Sequence, residues 1–279
     1  MAHLTEAGNV FDVEAARKRC RRLRRRILDI SQTLPAVHIA PAFSCLEIVD
    51  AVYFGLMNHG GPERPPDTFI LSKGHGAMAQ YCVLEERGIL TREQVDTCGK
   101  DGGQLGMHPD LGIPGIEAST GSLGHGLPIA LGMALADRTT GGDRRVYVVM
   151  SDGELEEGSV WEAMLLAPTL KLSNLVVIVD LNDFQSLGRT SEIHPNFYPV
   201  GDKVRAFGWD CHEVDGHDAG AIIQAFEGRV RSRPLMILGR TVKGKGVSYM
   251  ENQPIWHYRS PSPEEYQQAL RELAEPKHP

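Results

Sequence analysis

Apolar residues in the first third of the chain recur at helical spacing. Between residues 13 and 31, small and aliphatic side chains return every three or four positions, which predicts an amphipathic helix. After a break at Pro35, the apolar stretch 45–56 predicts a second helix. The short run 70–72 is strand-like and leads into a third predicted helix at 77–86. The pattern therefore predicts a mainly helical first third.

Strands and helices alternate through the rest of the chain. Mostly apolar runs predict strands at 145–150, 175–181 and 235–239, and a further strand is predicted at 209–214. Periodic segments predict helices at 127–137, 159–169 and 219–231. This alternation indicates an α/β fold, with a parallel sheet and helices on both of its faces. Ligands of such folds bind at the carboxyl ends of the strands. We therefore expect the chemistry in the loops after Met150, Leu181 and Gly239.

The length of the chain suits one domain with short tails. With 279 residues, of which 42% are hydrophobic and 23% charged, the chain can bury a sizeable core. We assign residues 13–270 to a single domain, 1–12 to an N-terminal tail and 271–279 to a C-terminal tail. The glycine-rich segment 99–126 is too long for an idle connection in a compact domain, so we expect it to carry function.

Charge and cysteine content argue against several classes of protein. The net charge of −7 disfavours general nucleic-acid binding, although residues 17–26 are strongly basic. Because apolar residues recur through this run, we assign its arginines to the solvated faces of the first helix; the alternative is a contact with an acidic partner or nucleic acid. Five scattered cysteines without a Cys-x-x-Cys pair suggest neither a disulfide framework nor a zinc site. The polar N-terminus and the lack of an apolar run of about 18 residues predict a cytoplasmic protein without a membrane segment.

Oxygen-bearing side chains follow two of the predicted strands. Asp152 comes just after one strand, and Asn182 comes directly after the next strand along the chain. Magnesium is usually held by one or two protein oxygens together with phosphate oxygens and water, which this pair can provide. Gly153 would let the backbone approach a diphosphate, and the helix after it would offer N–H groups to the anion. Alone, Asp-Gly is an ordinary turn and Asn an ordinary strand end, but their pairing favours the metal site.

Several segments resemble one family, in sequence order. The stretch SDGELEEGSVWEA, followed by LVVIVDLNDFQ, resembles the metal-binding signature of thiamine diphosphate enzymes, and specifically of transketolases. The same family is matched by LSKGHGAMAQY, LGMHPD, GIEASTGSLGHGLPIALGMALA, GWDCHEVDGHD and RTVKGKGVSYMENQPIWH. The match runs from about residue 17 to residue 266 and ends where a pyrimidine-binding domain would begin in a full-length transketolase. The resemblance implies the thiamine diphosphate-binding fold, with this chain as its diphosphate-binding domain.

The resemblance also implies a set of site residues. The implied Mg²⁺ ligands are Asp152, Asn182 and the backbone carbonyl of Phe184. The residues implied to bind thiamine diphosphate are His75, Gly121, Leu123, Gly153, Glu154, Asn182 and His257. The implied active-site histidines are His38, His75, His108 and His257. Imidazole suits such a site, because it can donate to phosphate, bind sugar hydroxyls and move protons near neutral pH.

One further residue and four departures complete the comparison with the family. Glu157 matches a glutamate at the family's subunit interface, although an acid stabilised by the dipole of its own helix fits it equally well. The departures are Ile39, His125, Ser151 and Tyr258. Ser151 is harmless if its backbone conformation is open to residues other than glycine. Ile39 and Tyr258 would reshape the substrate mouth, which puts ordinary pentose phosphate substrates in doubt.

Two glycine-rich segments differ from nucleotide-binding motifs. Residues 121–126 lack the spacing and the acidic partner of a Rossmann dinucleotide loop. Residues 243–246 lack the preceding glycine and the following Ser or Thr of a P-loop. The sequence therefore predicts neither kind of nucleotide site.

The resemblance implies ketol transfer by a protein that lacks half of its site. Thiamine chemistry needs a glutamate beside the cofactor's pyrimidine, and in transketolases this glutamate lies in the pyrimidine domain. A second, pyrimidine-domain subunit would supply it in an α2β2 assembly, and a two-carbon unit would pass from a ketose or ketose phosphate to an aldose. The alternatives are the α subunit of a 2-oxoacid dehydrogenase, a ketol or acyl transferase of specialised metabolism, and a silent cofactor-binding or regulatory protein. The motifs HGAMAQY, GMHPD and PIWH favour transketolase over dehydrogenase.

Overall fold

The fold centres on a five-stranded parallel sheet. The computed structural model describes residues 2–4, 10–34, 37–61, 64–186 and 188–274. The strands in chain order are β1 (Ala2–Leu4), β2 (Val10–Asp12), β3 (Thr68–Leu71), β4 (Val146–Ser151), β5 (Leu175–Leu181), β6 (Asp210–Asp215) and β7 (Leu235–Arg240). β1 and β2 form an antiparallel pair, and the other five form one sheet in the order β3-β4-β5-β7-β6. All neighbours in this sheet run parallel, which confirms the predicted α/β fold.

Helices cover both faces of the sheet. In chain order they are α1 (Val13–Ser31), α2 (Ile39–Ala51), α3 (Ala77–Glu86), α4 (Arg92–Asp96), α5 (Gly126–Thr139), α6 (Gly158–Thr169), α7 (Thr190–Ile193), α8 (Val200–Ala206), α9 (Ala219–Glu227) and α10 (Pro263–Glu272). α1, α2, α3 and α9 pack against one face, and α5, α6 and α8 pack against the other. Neighbouring strand residues point to opposite faces, so Tyr147 and Val149 join the first core while Val148 and Met150 join the second.

Most predicted elements lie within a few residues of the observed ones. The predicted segments 13–31, 77–86 and 175–181 coincide with α1, α3 and β5. α2 begins at Ile39, six residues before the predicted start, because all of its residues are buried and no polar face marks where it begins. α10 was not predicted, although Ser262 and Glu265 form a capping box at its first turn. The predicted break at Pro35 lies outside the described residues.

The segment assigned to the N-terminal tail contributes to the core. Its residues 10–12 form β2, and Phe11 is buried in the same core as α1 and α2. A Cβ atom on Gly55 would lie 3.0 Å from the Phe11 ring, so the absence of a side chain there makes room for it. Most of the remaining N-terminal tail, and residues 275–279 of the C-terminal tail, lie outside the described residues.

α2 and the π-helical turn that continues it form one long apolar helix. Residues Ile39–Leu56 are long and apolar enough by composition to cross a membrane, contrary to the expectation that no apolar run approaches this length. The fold buries 94% of this segment. Packing of α2 between the sheet, α1 and α3 therefore accounts for its composition.

The basic run of α1 is largely paired with carboxylates. Arg19 donates two hydrogen bonds to Asp50, at 2.5 and 2.7 Å. Arg24, which is only 6% exposed, donates two to Glu47 at the same distances. Arg26 pairs with carboxylates of α3 and α4. The prediction of solvated arginines was wrong for these three side chains, because carboxylates on the neighbouring helices pair with them, and those of Asp50 and Glu47 are buried.

Candidate functional site

The two predicted metal ligands lie together at the carboxyl edge of the sheet. Ser151 pairs in register with Asp180 across β4 and β5, so the strand ends present Asp152 and Asn182 side by side. The amide nitrogen of Asn182 donates to Ser44 Oγ at 3.0 Å and to Asp180 Oδ2 at 3.2 Å. These bonds fix the orientation of the amide, so its oxygen is the atom turned away from Asp180. That orientation suits a metal ligand.

Asp152 is a fully buried carboxylate near a second one. Its oxygens accept hydrogen bonds from the backbone N–H groups of Gly153 at 2.9 Å and Asp183 at 2.5 Å. Burial and the charge of Asp180 nevertheless raise the pKa of Asp152 to about 7. A bound cation would reverse this by favouring the ionised form. The described residues contain no cluster of three or more His, Cys, Asp or Glu side chains suited to a metal. This small oxygen donor set fits Mg²⁺ completed by phosphate and water, and it does not fit a zinc site.

The backbone after Asp152 differs from the prediction. The residues that follow form a single 3-10 turn, Gly153–Glu156, and α6 begins only at Gly158. The Gly153 N–H already bonds to Asp152, so the expected helix N-terminus does not directly follow Gly153. A Cβ atom on Gly153 would lie 2.9 Å from the Cβ of Gln185. Gly153 is therefore needed for the close packing of the loop after β5. Ser151 continues β4, and its extended backbone accommodates a side chain.

Glu154 lies behind the glycine-rich loop. Its carboxylate accepts hydrogen bonds from Ser72 Oγ and from the backbone N–H of Gly124, the latter at 2.9 Å. It is fully buried, and it does not line the cavity that His75 and His257 share. The structure thus places Glu154 where it supports the loop that carries Leu123.

Four predicted histidines surround one cavity above Asp152 and Asn182. The ring centre of His38 lies 5.9 Å from that of His75, 5.8 Å from that of His108 and 5.4 Å from that of His257. The cavity has a volume of about 380 Å³. Its lining includes all four histidines together with Gly121, Leu123, Ser151, Gly153, Glu156, Glu157, Phe184, Gln185 and Ser186. Residues spread over more than 200 positions of sequence therefore converge on one site.

Glycines allow the loops that carry His75 and His108 to pack closely together. His75 lies in the 3-10 turn Gly74–Gly76, which is separated from the end of β3 by two residues. A Cβ atom on Gly74 would lie 2.8 Å from the backbone nitrogen of Gly121, and one on Gly121 would lie 3.3 Å from the His108 ring. The glycine-rich segment therefore has a packing reason to be glycine-rich.

Three of the four histidines are held neutral. Burial, followed by the positive charges of nearby groups, lowers the pKa of His38 to about 4 and that of His257 to about 3. Burial and the Lys73 ammonium hold the pKa of His75 well below its ordinary value. Neutral imidazole offers one donor and one acceptor, which suits sugar hydroxyls. One buried nitrogen of His38, Nδ1, has no hydrogen-bond partner among the described residues, as expected of a group that receives a ligand.

Two buried lysines of the site were missed in the sequence. Lys73 pairs with Asp180. Lys243 forms no ion pair with a described carboxylate, and its Nζ donates to His257 Nδ1 at 2.9 Å. Burial, together with the charge of Lys73, lowers the pKa of Lys243 to about 8. The buried Lys243 ammonium, which has no carboxylate partner among the described residues, favours an anionic ligand. Each lysine lies just after a strand, β3 or β7, and that position was the available signal.

A buried relay connects the basic helix to Lys243. Val242 N–H donates to His217 Nε2 at 2.8 Å, so His217 Nδ1 carries the proton and donates to Glu47 at 2.9 Å. Burial alone would raise the pKa of Glu47, but the charge of Arg24 and the hydrogen bond from His217 lower it to about 2. This relay fixes the backbone immediately before Lys243.

The remaining predicted positions lie at the rim of the cavity or beside it. Glu157 is exposed and occupies the position before α6; its side chain forms no capping hydrogen bond, and it lines the cavity, so both interpretations of this residue stay predictions. The Tyr258 ring is 55% exposed and lies 4.6 Å from the His38 ring. His125 is exposed just before α5, and Ile39 is fully buried at the start of α2. Tyr258 is thus the departure that changes the mouth of the cavity directly.

Known proteins are similar to this chain in sequence and in fold. A family model described as transketolase, thiamine diphosphate binding domain, matches residues 22–273. One subunit of the apulose-4-phosphate transketolase of Phocaeicola vulgatus is 40% identical over 271 residues, covering 95% of this chain and 96% of that protein. The 6-deoxy-6-sulfo-D-fructose transketolase subunit SqwG of a Clostridium species is 38% identical over 259 residues, covering 90% of this chain and 93% of that protein.

Solved transketolase structures match this fold at lower sequence identity. Transketolase from Leishmania mexicana superposes with a TM-score of 0.85 at 26% identity, covering 94% of this chain. The chain spans about two fifths of that protein, whose covered share is 41%. Because the family model and relatives of nearly equal length both align with most of the sequence, the chain belongs to the transketolase family and corresponds to its thiamine diphosphate binding domain.

Proposed function

We propose that this chain is one subunit of a two-subunit transketolase that holds the diphosphate of thiamine diphosphate through Mg²⁺. The observation that carries the proposal is the convergence of His38, His75, His108 and His257 directly above the strand ends that bear Asp152 and Asn182. Relatives of similar length are named as single subunits of transketolases, which supports a division of the enzyme into two chains.

Each part of the site has a distinct task in this proposal. Asp152, Asn182 and the Phe184 carbonyl hold the metal, and Lys243, which has no carboxylate partner among the described residues, compensates part of the charge of the diphosphate. Thiamine diphosphate, when bound, supplies the electron sink that lets a carbon–carbon bond of a ketose break and form again. The neutral histidines bind the hydroxyl groups of the sugar and move protons between them.

The substrate is a ketose with an anionic group at its far end. The two named relatives act, by their names, on a ketose phosphate and on a sulfonated fructose, and both compounds carry such a group. Among the described residues that line the cavity, none is Arg or Lys. The group that binds the distal anion therefore belongs to the partner subunit, and the exposed ring of Tyr258 restricts what passes His38.

The partner carries the pyrimidine domain and its glutamate, in an α2β2 assembly. Exposed apolar side chains on α6 and α7 support a docking surface: Leu165 is 60% exposed, Leu166 43% and Ile193 40%. Apolar groups of this size are usually covered at subunit interfaces. In this proposal Glu157, which is exposed and lines the cavity, contacts that partner.

The test is a ketol-transfer assay of this chain purified with its co-purifying partner. Asp152→Ala should abolish Mg²⁺-dependent binding of thiamine diphosphate, and Glu93→Ala, at an exposed position of α4, serves as the carboxylate control. Activity of the chain alone, a 2-oxoacid dehydrogenase β subunit as the partner, or retained Mg²⁺-dependent binding by the Asp152 variant would contradict the proposal.

A further inference from the structure

Asp183, the residue after the proposed metal ligand Asn182, has an unusual backbone conformation. Its φ is +65°, in the left-handed region, and only Lys171 and Asn252 share this property among the described residues other than glycine. Such a conformation is uncommon outside glycine and persists only where the surroundings enforce it. In this conformation the Asp183 N–H points at Asp152 and donates to its Oδ2 at 2.5 Å. The unusual backbone therefore has a direct effect on the metal-binding carboxylate.

The Asp183 side chain closes the loop that follows. Its Oδ1 accepts from the backbone N–H of Ser191 at 2.8 Å, and its Oδ2 accepts from Ser191 Oγ at 2.8 Å and Arg189 Nη1 at 3.0 Å. The hydroxyl of Tyr198 donates to Oδ1 at 3.3 Å, and the Asp183 carbonyl accepts from Thr190 N–H at 3.1 Å. Asp183 thus accepts five hydrogen bonds from Arg189, Thr190, Ser191 and Tyr198, and these five bonds together form a clamp on the loop.

The loop held in this way carries residues of the cavity. Phe184 is buried with the Arg189 guanidinium 4.5 Å above its ring, and Gln185 N–H donates to the Gly188 carbonyl at 3.0 Å. Gln185 and Ser186 line the cavity. The same clamp therefore fixes the Asp152 carboxylate, the position of the Phe184 backbone and one wall of the site.

We propose that Asp183 is a positioning residue that preorganises the Mg²⁺ site, with its N–H orienting Asp152 and its carboxylate holding the Phe184 loop. The inference rests on the proposed function, because it concerns the metal of that site. Partners that orient metal ligands typically contribute about 10- to 100-fold to metal affinity. Loss of the clamp should therefore raise the Mg²⁺ concentration required for cofactor binding without removing any ligand.

The experiment measures Mg²⁺ dependence in the complex of this chain with its partner. Asp183→Gly keeps the backbone conformation available but removes the carboxylate, and Lys171→Gly makes the same change at an exposed left-handed residue outside the site. The Asp183 variant should need about tenfold more Mg²⁺ to bind thiamine diphosphate, and saturating Mg²⁺ should restore ketol transfer to within about twofold. In the free chain, the amides of Thr190 and Ser191 should exchange hydrogen faster. The Lys171 variant should change neither quantity.

The outcomes distinguish a failure of the positioning role of Asp183 from a failure of the proposed function. An unchanged Mg²⁺ requirement for Asp183→Gly, or an equal shift for Lys171→Gly, would overturn the positioning role while leaving the proposed function intact. Mg²⁺-dependent binding that survives in Asp152→Ala would instead overturn the metal site and the proposed function with it. If Asp183→Gly does not fold, Ser191→Ala removes one bond of the clamp, and a Mg²⁺ requirement identical to that of the wild type then refutes the inference.

Discussion

Substitution of Lys73 by methionine tests whether the buried charges beneath the cavity stabilise one another. Lys73 and Asp180 are both fully buried, and the ammonium pairs with Asp180 and donates to the Pro41 carbonyl at 3.2 Å. Lys73→Met keeps most of the volume but leaves Asp180 as an uncompensated buried charge. Breaking such a pair by removing one partner costs about 3–5 kcal/mol. Because a domain is stable by only about 5–15 kcal/mol, this single change should remove about a fifth of the stability or more.

Removal of both charges should restore most of that loss. In the double variant Lys73→Met with Asp180→Asn, the amide oxygen can still accept from Ser44 and Thr241. The amide nitrogen would face the side-chain nitrogen of Asn182, where the native carboxylate accepts at 3.2 Å. We expect about 1 kcal/mol of destabilisation to remain from that lost bond.

Urea denaturation followed by tryptophan fluorescence measures these free energies, since the chain has three tryptophans. The reasoning requires a large loss in the single variant and a recovery of about 2 kcal/mol or more in the double variant. A loss below about 1 kcal/mol for Lys73→Met would show that burial of Asp180 without its ammonium partner carries little cost. A double variant no more stable than the single one would refute the pairing argument.

Three further predictions concern the rest of the site. Between pH 6.5 and about 4, His38 takes up a proton in the unfolded chain but not in the native chain, because its native pKa is lowered to about 4. The free energy of unfolding therefore falls as the pH falls through this range. His38→Gln should reduce the difference between the urea midpoints measured at pH 7.5 and pH 5. His217→Ala leaves the Val242 N–H without its partner and should lower the free energy of unfolding, measured by urea denaturation, by about 1–3 kcal/mol. The same change should weaken thiamine diphosphate binding, because it loosens the backbone before Lys243. An unchanged affinity would contradict the role of the relay. Gly153→Ala places a Cβ atom 2.9 Å from Gln185 and should destabilise by about 1–3 kcal/mol in thermal melting; Gly158→Ala, where the added atom meets nothing within 4 Å, is the control.

The central strands of the sheet could be predicted because they are buried on both faces. Runs such as Leu175–Leu181 are almost entirely apolar and end abruptly at a polar residue, so both the strand and its carboxyl end are visible in the sequence. The same property hid the start of α2, where every residue is buried and the pattern has no polar face to read. Continuous burial thus marks a short strand clearly and the boundary of a helix poorly.

The site was predictable where a residue acts by itself and obscure where it acts through a partner. Asp152, Asn182 and the four histidines lie in recognisable motifs, and the structure brings them together. The importance of Lys73 depends on Asp180, which lies 107 positions further along the chain. The relay from Glu47 to His217 joins residues 170 positions apart. No local pattern can report such pairs, because the fold alone creates the contact.

The balance of buried charge explains why metal and cofactor should bind together. Beneath the cavity, the ammonium groups of Lys73 and Lys243 oppose the carboxylates of Asp152 and Asp180, and all four are buried. Mg²⁺ alone would leave excess positive charge in this poorly solvated region, and a diphosphate alone would leave excess negative charge, so each ligand lowers the cost of burying the other. We therefore expect chelation of Mg²⁺ to weaken thiamine diphosphate binding by at least about tenfold, a coupling of about 1.4 kcal/mol. Calorimetric titration with and without chelator measures this coupling, and equal affinities would show that the lysines alone neutralise the diphosphate.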